Sequence, residues 1–200
     1  MPEKIYVGDL KSLVENKKVE GKQLKIGNEN FYKISNVDKM RPFFMSIVSN
    51  SNHWMFISST GSLSAGRKNS EFSLFPYYTD DKITESSDTT GSKTIIIVKI
   101  NNKNFLWEPF SIRYKGAYKV SRNIYKNTIG NKVIFEEINH DLNVEFSYQW
   151  NSSNKYGFVR KSSLKNNSNN DLDINIVDGI QNILPYGVGE GLQIAQSNLV

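Results

Sequence analysis

Residues 142–150 read LNVEFSYQW, and their alternation decides the fold class. Leu142, Val144, Phe146, Tyr148 and Trp150 fall on one side of an extended chain, while Asn143, Glu145, Ser147 and Gln149 fall on the other. A repeat of two marks a strand with one face in a core. A helix would need apolar residues three and four apart. Just upstream, KVIFEEI (132–138) has strand composition, and Asn139, His140 and Asp141 are turn-forming types. Downstream, NSSN precedes KYGFVRKSSL (155–164), and the polar run KNNSNND (165–171) leads to LDINIVDGI (172–180), where Leu172, Ile174 and Ile176 alternate again. Four strands with short connections predict an antiparallel meander, with sequence neighbours pairing in space.

Working outward, FYKIS (31–35), PFFMSIV (42–48), HWMFIS (53–58) and TIIIVKI (94–100) read as further strands, the last as a buried one. Gly61 and Gly66 bracket a tight segment, Pro76 marks a strand end or an edge strand in EFSLFPYY (71–78), and DDKITESSDTTGS (80–92) reads as a polar loop. Residues 1–30 are polar and lysine-rich, with weak apolar spacing at Leu10, Leu13 and Val14, which suits a short helix or an extended lead-in. Leu192, Ala195 and Leu199 have helical spacing, and that pattern is still running at Val200, so the chain is expected to be one domain of a longer protein. The expected organisation is a lead-in (1–30), an all-β antiparallel two-sheet sandwich (31–186), and a linker with the start of a helix (187–200) toward a downstream domain.

Composition narrows the chemistry. The chain is 38% hydrophobic and 12% aromatic over 200 residues, enough for a core that needs no covalent staples. With no cysteine, disulfides, thiol nucleophiles and zinc–thiolate sites are excluded. The longest apolar run, around residues 94–100, is too short to span a bilayer, and the start lacks the apolar core of a secretory signal, which favours the cytoplasm. The net charge of +5 comes from scattered Lys and Arg with acids among them, not from the basic stripe a nucleic-acid binder concentrates.

Catalytic constellations are missing. His53 precedes Trp54 at a strand start and His140 sits in a turn, so neither is placed as a base, and two imidazoles without thiolates do not make a transition-metal site. No G-x-S-x-G elbow or phosphate-binding loop occurs, and GVGEG (187–191) reads as a flexible connector. Neither a cofactor nor a metal is expected. Among carboxylates, Glu136 stands out: if Ile134 and Ile138 face the core, Glu136 shares their face and Glu137 points away. Glu108, Asp178 and Glu190 lie near strand ends and can line a cleft, though no spacing pairs any two of them. The best small-molecule segment is SAGRKNSEFSLFPYYTDD (64–81), which gathers Arg67, Lys68, Tyr77, Tyr78, Asp80 and Asp81; Trp54 and Trp107 can add flat aromatic faces. Planar donors and acceptors beside aromatic faces suit sugars.

The order of VEFSYQW (144–150), FVRKSSLKNNSNNDLDINIVDG (158–179) and QNILP (181–185), with NHWMFISSTGSLSAGRKNSEFSLFPYYTDDKI (52–83) ahead of them, resembles the N-terminal β-supersandwich domain of cellobiose-phosphorylase-like and related six-hairpin glycosidase proteins. The likeness covers residues 30–200; the first thirty match no part of the pattern. It implies a galactose-mutarotase-like sandwich whose glycosidic chemistry belongs to a downstream (α/α)6 barrel, so no catalytic residue carries over. It also implies that the domain packs on that barrel, shapes its active-site mouth and contributes to a homodimer. The leading expectation is therefore an accessory domain of a glycoside phosphorylase or hydrolase. A rival is an independent carbohydrate-binding module using Trp54, Trp107, Tyr77 and Tyr78. Another is a free-standing epimerase-like enzyme with Glu136 or Glu190 as base.

Overall fold

A computed structural model describes residues 4–7, 10–13, 17–76 and 80–197 of the chain. Fourteen strands are described: β1 (Lys4–Val7), β2 (Leu10–Leu13), β3 (Glu20–Ile26), β4 (Glu29–Ser35), β5 (Phe44–Ser46), β6 (His53–Ser58), β7 (Leu63–Arg67), β8 (Gly91–Ile100), β9 (Lys103–Trp107), β10 (Val120–Asn127), β11 (Lys132–Asn139), β12 (Val144–Ser153), β13 (Gly157–Asn166) and β14 (Asp173–Gln181). Two short helices join them, α1 (Asp80–Glu85) and α2 (Glu190–Ser197). All pairings are antiparallel, so the protein is an all-β sandwich.

One layer is a six-stranded sheet in the order β13-β12-β11-β10-β4-β3. Facing it are two three-stranded sheets, β14-β8-β9 and β5-β6-β7; β1 and β2 form a separate ribbon. The clean alternation of β12 sets the inner face. Val144, Phe146, Tyr148 and Trp150 are buried, and through the register Phe135↔Tyr148 and Val133↔Trp150 they carry β11 with them. Phe135 stacks on Tyr148 at 4.9 Å and 11°, while Phe110 meets Tyr148 edge-on at 5.1 Å. Ile57, Leu63, Ile96, Val98 and Trp107 complete the core from the opposite layer. Each such side chain contributes roughly 1.5–3 kcal/mol on burial.

Asparagines build the hairpins of the large sheet. Asn127 Oδ1 accepts the Gly130 and Lys132 amides, and Asn139 Oδ1 accepts those of Asp141 and Leu142. These side chains replace backbone partners at the tips and fix the register of β10–β12.

Several expectations are corrected. The meander holds for three strands only: β14 leaves the large sheet and pairs with β8 in the opposite layer, with Ile174 beside Val98. Its six-residue connection, 167–172, is long enough to change layers. Glu20–Ile26, expected as part of a lead-in, is the edge strand of the large sheet because its Leu24 pairs with the buried Phe31. The polar stretch 80–92 contains α1, whose Ile83 is buried and anchors the turn to the core. Residues 70–72 form a 3-10 turn and not a strand. The expected buried strand at 94–100 has one open face: Ile96 and Val98 are buried, but Ile97 is exposed. GVGEG runs directly into α2, where Ser70 Oγ donates to Glu190 Oε2 at 2.6 Å. No helix among the described residues is long and apolar enough to cross a membrane.

Two polar knots join the layers. In one, the fully buried carboxylate of Glu137 accepts the Trp107 indole N–H (2.9 Å), the Phe110 amide (2.7 Å) and Arg122 Nε (2.6 Å). Phe110 adopts φ 66°, a costly setting for a bulky residue, and that hydrogen bond together with its ring packing holds it there. In the other, Arg160 on β13 grips Asp178 on β14 through two hydrogen bonds of 2.7 and 2.8 Å, with Ser162 and Thr94 also donating. Burial alone would raise the Asp178 pKa, but the donors from Arg160, Ser162 and Thr94 outweigh it and hold it at about 2.

Candidate functional site

Alternation leaves the outer face of the large sheet to Lys22 and Leu24 on β3, Lys33 on β4, Asn123 and Tyr125 on β10, Ile134 and Glu136 on β11, and Ser147 on β12. All but Asn123 line, together with Ile26, an open cleft of about 350 Å³. Register makes the cleft. Lys22 faces Lys33, Lys33 faces Tyr125, and Tyr125 faces Ile134 along one row of cross-strand pairs; Asn123, Glu136 and Ser147 form the next row. Leu24, Ile26 and Ile134 supply apolar walls.

Glu136 is held from one side. Its Oε1 accepts both the Asn123 side-chain amide (2.7 Å) and the Tyr125 hydroxyl (2.8 Å), and Lys33 Nζ lies 4.0 Å away. Its Oε2 takes no hydrogen bond among the described residues. The carboxylate therefore has fixed orientation and spare accepting capacity. Burial, then the hydrogen bond to Glu136 and its charge, push the Tyr125 phenol far above its ordinary range. It stays a protonated donor at any physiological pH. Lys33 sits over the Tyr125 ring at 4.9 Å, which fixes the ammonium beside the carboxylate.

Glu136 reaches this cleft for a reason opposite to the one its sequence suggests. Val133 and Phe135, not Ile134 and Ile138, face the core, so Glu136 is on the outer face and Glu137 is the buried carboxylate. Both faces of β11 carry apolar side chains, and its own period cannot choose between them; pairing with β12 does.

The other sugar-contact candidates lie elsewhere. Trp107 is a core residue at 2% exposure whose indole N–H is occupied by Glu137, so it has no face to offer a ligand. Trp54 is partly buried on β6, its indole tilted against Phe56 at 6.1 Å. Arg67 and Lys68 are exposed at the end of β7, with Lys68 Nζ 5.3 Å above the Phe72 ring. The register His53↔Arg67 and Trp54↔Gly66 brings these residues together in the layer opposite Glu136. Tyr77 and Tyr78 lie outside the described residues, as do the side chains of Asp80 and Asp81.

Lys22, Lys33, Asn123, Tyr125 and Ser147 carry no local signal of a site. Their meeting depends on β4 pairing with β10 far along the chain, which only the tertiary fold supplies. Among the described residues, no three His, Asp or Glu side chains gather as a metal ion would require. No protein-family model matches the chain, and no curated protein matches it either.

Proposed function

We propose that the chain is a carbohydrate-binding accessory domain of a larger carbohydrate-active enzyme, with a sugar seated in the outer-face cleft and bond-breaking chemistry carried out elsewhere. The observation that supports this reading is the half-satisfied Glu136 carboxylate beside Lys33. A sugar hydroxyl both donates and accepts. A fixed carboxylate oxygen next to an ammonium meets a pair of neighbouring hydroxyls, one giving its proton to Oε2 and one accepting from Nζ. The aliphatic walls of Leu24, Ile26 and Ile134 suit the C–H faces of a pyranose. The cleft lining has a single carboxylate among the described residues, whereas glycoside hydrolysis uses two flanking the scissile bond. Binding without turnover follows.

The test is calorimetric titration with a panel of neutral and acidic oligosaccharides, accompanied by turnover assays on the same panel. Saturable binding is expected, weakened about tenfold or more by Glu136→Ala, as loss of one charge-assisted hydrogen bond implies. Silence across the whole panel, or cleavage by this chain alone, would overturn the proposal.

A further inference from the structure

The cleft has an unbalanced charge. Its lining carries two ammonium groups, Lys22 and Lys33, and one carboxylate, Glu136. The two lysines are direct cross-strand partners on β3 and β4, and like charges set opposite each other on a sheet repel. Lys33 is partly compensated by Glu136, at 4.0 Å, and by the Tyr125 ring. Lys22 makes no ion pair or hydrogen bond among the described residues, and Glu20, two residues along on the same face, does not neutralise it. Lys33 has a side chain only 18% exposed, so its charge is felt inside the cleft and is not dispersed in solvent. An anion between Lys22 and Lys33 would turn the repulsion into two charge-assisted contacts.

Glu136 limits where such an anion can sit. It lies three strands from Lys22 in the sheet order, about 14 Å at the usual strand spacing. The positive side of the cleft is thus the β3–β4 edge, and the hydroxyl-binding side is β10–β11. We propose, resting on the saccharide reading above, that the cleft selects an acidic saccharide. Its carboxylate or sulfate ester lies between Lys22 and Lys33, and its ring hydroxyls lie on Glu136 Oε2 and Ser147. A small free anion lacks the second half of this recognition. A neutral sugar lacks the first.

The experiment is a titration of the full chain with uronic-acid oligosaccharides and their methyl esters, and with a sulfated oligosaccharide and its desulfated form. Each pair shares a backbone and differs in charge, and the two pairs distinguish carboxylate from sulfate. At least one charged form is expected to bind about tenfold more tightly than its neutral partner, a preference that weakens as salt rises. Lys22→Gln, at an exposed position that leaves folding intact, should remove most of that preference while neutral-sugar binding persists. Lys33→Met, checked for an unchanged far-UV spectrum, should lose the preference and weaken neutral-sugar binding as well, because its ammonium also serves a sugar hydroxyl. Equal affinity for charged and neutral partners, or a preference that survives Lys22→Gln, overturns this inference and leaves the saccharide reading standing. Absence of binding to every sugar overturns both.

Discussion

Replacing Glu137 by alanine tests the packing of the two layers at its most concentrated point. The wild-type carboxylate is fully buried and receives three donors, one of them a guanidinium at 2.6 Å. Removing one partner of a buried ion pair costs about 3–5 kcal/mol, and an orphaned buried N–H costs a further 1–3 kcal/mol. Two considerations lower that total. Arg122 retains the Ser111 carbonyl at 2.8 Å, and its side chain is 20% exposed, so solvent takes up part of the charge. Phe110, freed from the hydrogen bond that holds φ at 66°, can also relax. The expected net loss is about 4 kcal/mol, a large part of the roughly 5–15 kcal/mol that stabilises a typical domain. Urea unfolding followed by tryptophan fluorescence reads it directly. With a slope of about 2 kcal/mol per molar, the midpoint should fall by roughly 2 M. Arg122→Met alone should be similarly harmful, because it strands the carboxylate. The double variant Glu137→Ala with Arg122→Met should be more stable than the two single losses summed, by about 2 kcal/mol, since no buried charge remains. A loss below about 1 kcal/mol for Glu137→Ala, or strict additivity in the cycle, would show that the carboxylate does not hold the layers together.

Two further outcomes are expected. The Asp178 carboxyl, held at about 2 in the folded chain against an ordinary 3.8, lends stability that is complete above about pH 4 and is lost as pH falls toward 2. Solvent access reduces the full linkage to about 1 kcal/mol, so the urea-midpoint advantage of wild type over Asp178→Asn should shrink by that amount between about pH 5 and pH 2. Gly66→Ala would place a Cβ 2.6 Å from the Phe72 carbonyl and 2.9 Å from Ser73 Cα, backbone atoms that cannot swing aside. It should cost about 2 kcal/mol and lower the melting temperature by roughly 6 °C in a thermal scan.

The strands of the second half were legible because their alternation is strict and their turns carry asparagine at the tips. β12 shows this best: one glance at residues 144–150 assigns both its state and its buried face. β11 shows the limit. Its type is plain, but its orientation is borrowed from β12 across the hairpin, and reading it alone puts Glu136 and Glu137 on the wrong sides. β9 and β10 escaped notice because Lys103–Trp107 is short and Val120–Asn127 mixes polar and apolar residues on both faces. Glu136 was found as a residue of interest, but the side chains around it could not be. Lys22 and Lys33 look like ordinary surface lysines until β3, β4 and β10 are laid side by side. Trp107 invites the opposite error, since an indole near a loop reads as a ligand platform until Glu137 claims its N–H.

The exchange of strands between halves has a consequence for synthesis. β10 to β13 are consecutive and can pair as they emerge, but β8 must wait for β14, with Val98 meeting Ile174 some 76 residues later. At roughly 5–20 residues per second that is a delay of about 4–15 s. Throughout it, the isoleucine-rich ribbon at 95–98 leaves the ribosome with one hydrogen-bonding edge unclaimed, a segment that nascent-chain holdases would be expected to cover.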